Sequence, residues 1–400
     1  MEDIQSIGII KKRIILKVSD YRSALIQGKF LAKKGLWVSE YRIESGLNCG
    51  GHAFATDGHL MGPILAQFRD RKEALVSETN AVLVRALSQK KRYVPQSALP
   101  VKITAQGGVG TSEEHDFLLE HYQLDSVGWG TPFLLVPEAT TVDDTTLKKL
   151  SQAKEKDLYL SNISPLGVPF NSLRGNTKDM EKWANIQKNR PGSACPKKYV
   201  ALNKEFTSEG ICMASRQYQH LKIQELNKKN LSPQARQAAF DKIVEKSCAC
   251  VGLGTSALLK YGLDTKTEGD GVSICPGPNM AYFSKIASLR EMMQHIYGES
   301  NLIKRTDRPN MFIKELKIYI DFLKGKMEEV QGSITDKQVA YLSTFINNLH
   351  EGISYYQTIF GKANKVSNDN SSPISGALKD LKVVLDKLLG EIRDLKTTAQ

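Results

Sequence analysis

Nowhere in its 400 residues does this chain carry an apolar run long enough to cross a bilayer. The longest, such as Gly8-Ile9-Ile10 and Phe133-Leu134-Leu135-Val136, are a few residues each, where a membrane helix needs about 20. The N-terminus lacks the charged-then-apolar order of a secretory signal, so a cytoplasmic chain with no membrane partner is expected. Paired Cys-x-x-Cys knuckles are missing, which removes the usual zinc-ribbon spacing. Internal repeats beyond an alternation of strand and helix are not apparent. A basic stripe interleaved with aromatics is absent too. The net charge is +12, but residues 151–300 hold 21 Lys/Arg against 14 Asp/Glu, an excess of 7, which leaves 5 for the other 250 positions. The tightest runs, Lys11-Lys12-Arg13 and Lys90-Lys91-Arg92, read as solvated element ends. Charge this diffuse argues against a nucleic-acid partner and suits anionic cofactors and a small-molecule substrate.

What is present is the composition of an ordinary folded protein, 41% hydrophobic and 24% charged, with room for two or three domains. Residues 13–18 read as a short buried strand, 23–34 as a helix and 36–43 as a second strand. A helix is expected over 73–89, where Leu75, Val82, Leu83 and Leu87 recur at helical spacing, and strands over 101–105 and at Ser126-Val127. Alternation of this kind implies a parallel sheet with crossover helices. Beyond residue 138 the pattern breaks into a possible strand at Leu158-Tyr159-Leu160 and a turn at Ser164-Pro165-Leu166-Gly167-Val168-Pro169. From about Asn310 it is helical, with apolar faces at Phe312, Leu316, Ile320 and Leu323, then Leu342, Phe345, Ile346 and Leu349, then Leu381, Val384, Leu385, Leu388 and Ile392. Ser367-Asn368-Asp369-Asn370-Ser371-Ser372-Pro373 reads as a flexible tether. The expected domains are 1–150, 151–300 and 301–400.

Two glycine-rich stretches carry the first chemical signal, Gln106-Gly107-Gly108-Val109-Gly110-Thr111 and Gly128-Trp129-Gly130-Thr131-Pro132-Phe133. The first closes a strand and opens a helix marked by a capping box, Thr111 with Glu114 three positions on. Glycines there let backbone N–H groups turn toward one point beside the positive end of a helix, which is how a phosphate is held. The second repeats the arrangement, with residues 131–133 able to start a short helix. Barrels of the (β/α)8 class hold phosphate between the loops after strands seven and eight. The bland alternative is a pair of tight strand-to-helix turns that bind nothing.

Between the second strand and its helix lies Ile43-Glu44-Ser45-Gly46-Leu47-Asn48-Cys49-Gly50-Gly51-His52-Ala53-Phe54. This segment resembles the Gly-Gly-His loop of the nitronate monooxygenase family, formerly the 2-nitropropane dioxygenases, to which flavin-dependent enoyl reductases are related. Ala105-Gln106-Gly107-Gly108-Val109 is similar to that family's strand-seven motif, Val127-Gly128-Trp129-Gly130-Thr131-Pro132-Phe133-Leu134 to its strand-eight motif, and Ser164-Pro165-Leu166-Gly167-Val168-Pro169 to its post-barrel segment. The resemblance covers about residues 10 to 175.

It implies an α/β fold made of the C-terminal half of a flavin-type (β/α)8 barrel, strands five to eight, and the residue pattern beyond it adds a Cys-rich appendage and a helical tail. It implies FMN, with Gly50 and Gly51 near the flavin and Gln106, Gly107, Gly108, Gly110, Gly128, Gly130 and Thr131 around the phosphate. His52 would be the base that removes a proton next to a nitro or carbonyl group, electrons passing to flavin; an unperturbed imidazole titrates in the right range. A histidine that only hydrogen-bonds the glycine-rich loop is the other reading, and His59 has no counterpart in the family. Cys49, Pro132 and Ser45 depart from the family pattern. The chain begins inside what would be strand five, and a half barrel leaves open strand edges and an apolar face. Another chain completes the barrel, the C-terminal helices substitute for it, or the chain is the remnant of a longer reading frame; the last is the expectation. The rivals to a working oxidoreductase are an enoyl reductase-like flavoenzyme and a truncated, non-catalytic paralogue that binds partners.

Residues 190–280 hold five of the six cysteines, Cys195, Cys212, Cys248, Cys250 and Cys275. Thiolates from such loops could hold an iron–sulfur cluster, with zinc the other metal option, although the spacing matches no standard run. Reduced, partly buried thiols are the alternative to either.

Overall fold

The computed structural model of the chain describes residues 12–330, 334–363 and 373–398. In chain order the main elements are β1 (Ile14–Val18), α1 (Tyr21–Lys33), β2 (Val38–Glu44), α2 (Met61–Gln89), β3 (Lys102–Gln106), α3 (Ser112–Tyr122), β4 (Ser126–Gly128) and α4 (Asp144–Gln152). They continue with β5 (Leu158–Ser161), β6 (Phe170–Leu173), α5 (Thr177–Gln187), α6 (Arg216–Asn227), α7 (Pro233–Val244), α8 (Ala249–Lys260), α9 (Leu289–Ile296), α10 (Met311–Glu329), α11 (Asp336–Ala363) and α12 (Pro373–Thr398). They form two compact units, one of Met1–Asn48, Ala55–Trp129 and Asp307–Gln400, the other of Cys49–Phe54 and Gly130–Thr306. These do not coincide with consecutive segments 1–150, 151–300 and 301–400.

In the first unit β1 to β4 form one parallel sheet in sequence order, as alternating strands and crossover helices require. Among the described residues these four strands make an open sheet and not a closed barrel. Helix α1 starts where the Asp20 carboxylate accepts from Ser23 N–H at 2.7 Å, and it buries Tyr21, Ala24, Gly28 and Ala32, one face at helical spacing. Helix α2 begins twelve residues before the expected 73–89. Gly62-Pro63 in its first turn looks like a loop in sequence, yet a proline there forfeits only an N–H that has no intrahelical partner anyway. A change of backbone at Arg71 (φ −121°) marks a kink within it.

The apolar faces expected in the C-terminal third are real. Phe312, Leu316, Ile320 and Leu323 of α10 and Leu342, Phe345, Ile346 and Leu349 of α11 are buried, as are Leu385, Leu388 and Ile392 of α12, while Leu381 and Val384 are half-buried. What they cover is the strand–helix unit itself. Phe312 packs on Tyr356 and Tyr122 with ring centroids 5.0 and 6.4 Å apart, and Gly62 N–H donates to the Tyr356 hydroxyl at 3.0 Å. Of the expected tether, Ser367 to Ser372 lie outside the described residues, and Pro373 opens α12. No described helix is long and apolar enough to cross a membrane.

The second unit holds a two-stranded antiparallel hairpin, β5 with β6, short helices, and a segment from 188 to 215 without helix or strand. The strand expected at Leu158-Tyr159-Leu160 is β5, and the turn Ser164 to Pro169 closes the hairpin with Gly167 at φ +72°.

One buried carboxyl holds the first unit together. Glu315 of α10 is 2% exposed and accepts from Ser45 Oγ at 2.5 Å, Met61 N–H at 3.0 Å and Tyr356 Oη at 3.4 Å. It thereby joins the end of β2, the start of α2 and α11. Burial pushes Glu315 from its ordinary 4.5 up to about 7, although the three donors pull the other way. The folded chain therefore keeps a proton that the unfolded chain has lost, and the associated stability is complete below about pH 4.5 and lost as pH rises through about 7. Urea unfolding at about pH 5 and about pH 8 should show stability falling by on the order of 2–3 kcal/mol. Glu315→Gln should flatten that slope; an unchanged slope in the variant would show that Glu315 is not its source.

Candidate functional site

The carboxyl ends of three parallel strands lie side by side in the first unit. Glu44 pairs with Gln106 and Gln106 with Gly128, and Gln106 Nε2 donates to Glu44 Oε1 at 2.5 Å. Lys17 Nζ sits 2.6 Å from the other oxygen of Glu44. Gly107 (φ +110°) and Gly108 (φ +82°) then turn the chain through a region that side chains rarely adopt. A Cβ on Gly108 would lie 2.1 Å from Asn48 Nδ2 and one on Gly107 3.0 Å from Ser45 Cβ, so these glycines are fixed by packing as well as by φ.

Thr111 caps α3 by accepting from Glu114 N–H at 3.3 Å, as the capping box anticipates. Glu114 does not return the bond. Its carboxylate accepts from Gly110 N–H at 2.9 Å and Met311 N–H at 2.7 Å, and Arg308 grips both oxygens at 2.8 Å each. Arg308 Nη2 also donates to Gly108 O at 3.0 Å. The pair is nearly dry, with side chains 7% and 5% exposed. Gly110, read as a phosphate ligand, thus gives its amide to Glu114, and a negative charge already stands at the positive end of α3. Gln106, Gly107, Gly108 and Gly128 are half-buried at the strand ends.

The second unit receives the Gly-Gly-His segment as an extra edge of its hairpin. Asn171 N–H donates to Gly51 O at 2.8 Å, Ala53 N–H to Pro169 O at 2.9 Å, and His52 bridges Phe170. Asn171 Nδ2 donates to Cys49 O at 2.7 Å. Gly51 adopts φ +76°, and its N–H meets Cys275 O at 3.1 Å. A Cβ on Gly50 would lie 2.7 Å from that same carbonyl. The half-buried His52 ring stands edge-on to Phe170, centroids 5.0 Å apart, and its Nε2 lies 2.7 Å from Ser164 Oγ. Ser164 is 1% exposed and also accepts from Leu166 N–H at 3.2 Å. A buried, anchored hydroxyl on one nitrogen fixes the ring's orientation, which a general base needs.

Thr131 starts the short 3₁₀ helix Thr131–Leu135, as expected, but its hydroxyl accepts from Gly277 N–H at 3.0 Å. Gly130 beside it is exposed. Gly277 has Gly50 N 3.1 Å from where its Cβ would stand, so the Cys275-Pro276-Gly277 loop covers the Gly50-Gly51 backbone within this unit. Cys275 packs there, against Ile163, Phe170 and Ala249. Cys195 and Cys212 pack together elsewhere in the unit, and Cys248 and Cys250 stand at the start of α8. His59 is exposed and lines a groove of about 780 Å³ in the first unit with Asp20, Arg22, Asp57 and Arg71.

Ser164 and Asn48 were visible in sequence only as parts of motifs, and Arg308 and Glu315 gave no sequence signal. Each acts on a residue more than a hundred positions away. The chain matches no model of a known protein family, and no curated protein matches it.

Because Glu114 and Arg308 are buried together, removing one strands the other. Arg308→Met should destabilise the chain by about 3–5 kcal/mol, read by urea unfolding, and Arg308→Met with Glu114→Gln should recover most of that loss. Equal losses in the single and double variants would mean that the pair is not coupled.

Proposed function

We propose that the chain is an FMN-dependent oxidoreductase of the nitronate monooxygenase kind, with β1 to β4 standing as strands five to eight of a (β/α)8 barrel. The observation that supports this most is the register of Gln106 with Gly128. Both glycine loops thereby leave neighbouring parallel strands at their carboxyl ends, where barrels of this class build their sites. The order β1-β2-β3-β4 agrees with it. Among the described residues β1 pairs on one edge only, and in this reading either another chain or the C-terminal helices complete the barrel.

FMN, when bound, supplies a phosphate for the strand-end amides and a ring that accepts electrons. Gly107, Gly108 and Gly128 place backbone there, beside the Ser45, Asn48 and Gln106 side chains, and the reading adds Gln106, Gly130 and Thr131 to this phosphate set and Gly50 and Gly51 to the ring. His52 takes the proton from carbon next to a nitro or carbonyl group. The Ser164 hydroxyl at Nε2 sets the ring's orientation, and Phe170 holds the ring plane. An enoyl reductase would use the same parts on a different substrate.

A non-catalytic binding protein is the second reading, and one observation favours it: Glu114 occupies the positive end of α3 and the Gly110 amide, both of which an incoming phosphate would otherwise use. FMN content and turnover separate the two. The purified chain should carry close to one FMN, or take it up, and oxidise an alkyl nitronate or reduce an enoyl thioester. His52→Ala should lower turnover by about 100-fold or more with FMN retained, and Ser164→Ala should lower it less and shift its pH profile. A colourless chain that takes up no FMN contradicts the enzyme reading, and loss of FMN from His52→Ala would make His52 a structural residue.

A further inference from the structure

A side-chain bond ties the second glycine turn to the helix that the first one opens. Trp129, in the turn after β4, donates its indole Nε1–H to His115 Nδ1 at 2.9 Å. His115 stands in the first turn of α3, just past the first glycine stretch. Both side chains belong to the first unit and are half-buried. Their rings lie 6.2 Å apart and tilted by 34°, so they do not stack face to face, and the hydrogen bond fixes how the indole lies.

One end of this bond is already fixed and the other needs fixing. Glu114, the residue before His115, is held by Arg308 and by the amides of Gly110 and Met311, so the start of α3 has little freedom. Strand β4 is three residues long and, among the described residues, pairs only with β3 at the edge of the sheet. Its ladder stops at Gly128, and Trp129 follows without a strand partner. His115 therefore carries the rigidity of the α3 start across to the turn after β4.

The bond also fixes a protonation state. An indole nitrogen can only donate, so His115 Nδ1 accepts and the ring is neutral with its proton on Nε2; a protonated imidazole has N–H on both nitrogens and cannot accept. The first turn of α3, at the positive end of the helix, disfavours the cation. Burial likewise holds His115 below its ordinary 6.5, with Asp116 of the same helix pulling the other way. The elements around the start of α3 direct their charges elsewhere: Arg308 is committed to Glu114, Arg69 of α2 to Asp70 and to His121 O at the far end of α3, and Ser126 to Trp129 carry none. Since the folded chain binds this proton less readily than the unfolded one, the bond is complete above about pH 6.5 and is lost as the pH falls through a point below that. We propose that His115 is the positioning residue of the turn after β4 and its pH latch: neutral, it holds Trp129 and through it the Gly128 backbone, and protonated, it releases both. That the turn holds the phosphate of FMN rests on the flavin reading; the latch itself does not.

The test is nuclear magnetic resonance of the full chain carrying isotope-labelled tryptophan, titrated from about pH 7.5 to about pH 5, with circular dichroism confirming that it stays folded. Three indole signals are expected, from Trp37, Trp129 and Trp183, and Trp129→Phe identifies the one that matters. That signal should be protected from hydrogen exchange at neutral pH, then shift and lose protection in one step below pH 6.5, while Trp37, which donates to Pro100 O, keeps its own. His115→Asn retains an acceptor but cannot titrate, so it should keep Trp129 protected throughout, and His115→Phe should leave it unprotected throughout. FMN affinity, measured on the same samples, should weaken across the step by about 10-fold more in the unaltered chain than in His115→Asn, the phosphate's own ionisation near about 6 being common to both. A Trp129 signal that stays unchanged to the lowest pH, or that changes equally in His115→Asn, overturns the latch. FMN binding that tightens on acidification relative to His115→Asn would make His115 a charge for the phosphate and overturn the positioning role. If FMN binds at no pH the flavin reading fails, and the indole signal alone decides the latch.

Discussion

The buried pair of Glu114 and Arg308 is the constraint on which the strand-end loops depend. One carboxylate collects two guanidinium bonds and two backbone N–H groups, from Gly110 and Met311. It therefore fixes the glycine turn after β3, the start of α3 and the start of α10 at once. A buried ion pair adds little net stability against an apolar equivalent, but it is unforgiving of geometry, since either charge left alone is costly. The C-terminal helices are consequently part of the framework that holds the glycine loop, with Glu315 performing a similar service at the end of β2.

In the second unit the ordering is done by backbone. The segment around Gly51 and His52 adds itself to the hairpin as a further edge, so the imidazole inherits its position from β6 and its orientation from Ser164. Positive φ at Gly51 lets its N–H reach Cys275, which explains a glycine there without any ligand. Glycine pairs in this chain thus answer to packing first, and the proposed cofactor role would be an additional use of turns the fold already needs.

Strands β1 to β4 were legible because short apolar runs ended at Gly, Asn or Asp and helices of the right period lay between them. The helix faces of α10 and α11 were legible for the same reason. Where Thr111 would cap α3 could be read locally, but the destination of Glu114 could not, because Arg308 lies 194 positions away. The start of α2 was hidden by Gly62-Pro63, whose effect on a helix depends on which turn they occupy. Cysteine spacing was uninformative because Cys195 and Cys212, seventeen positions apart, are packed together only by the fold. The motif around Ser164 was visible while its bond to His52 was not, since sequence carries no signal for a contact 112 residues apart.

The central claim is that the turns after β3 and β4 exist to hold a phosphate as well as to pack. Titrating the purified chain with FMN and, separately, with riboflavin, which lacks the phosphate, tests that claim most directly. Charge-assisted bonds to several backbone amides predict FMN binding tighter by about 100-fold, on the order of 2.7 kcal/mol. Equal affinities for the two, or none for either, would contradict it.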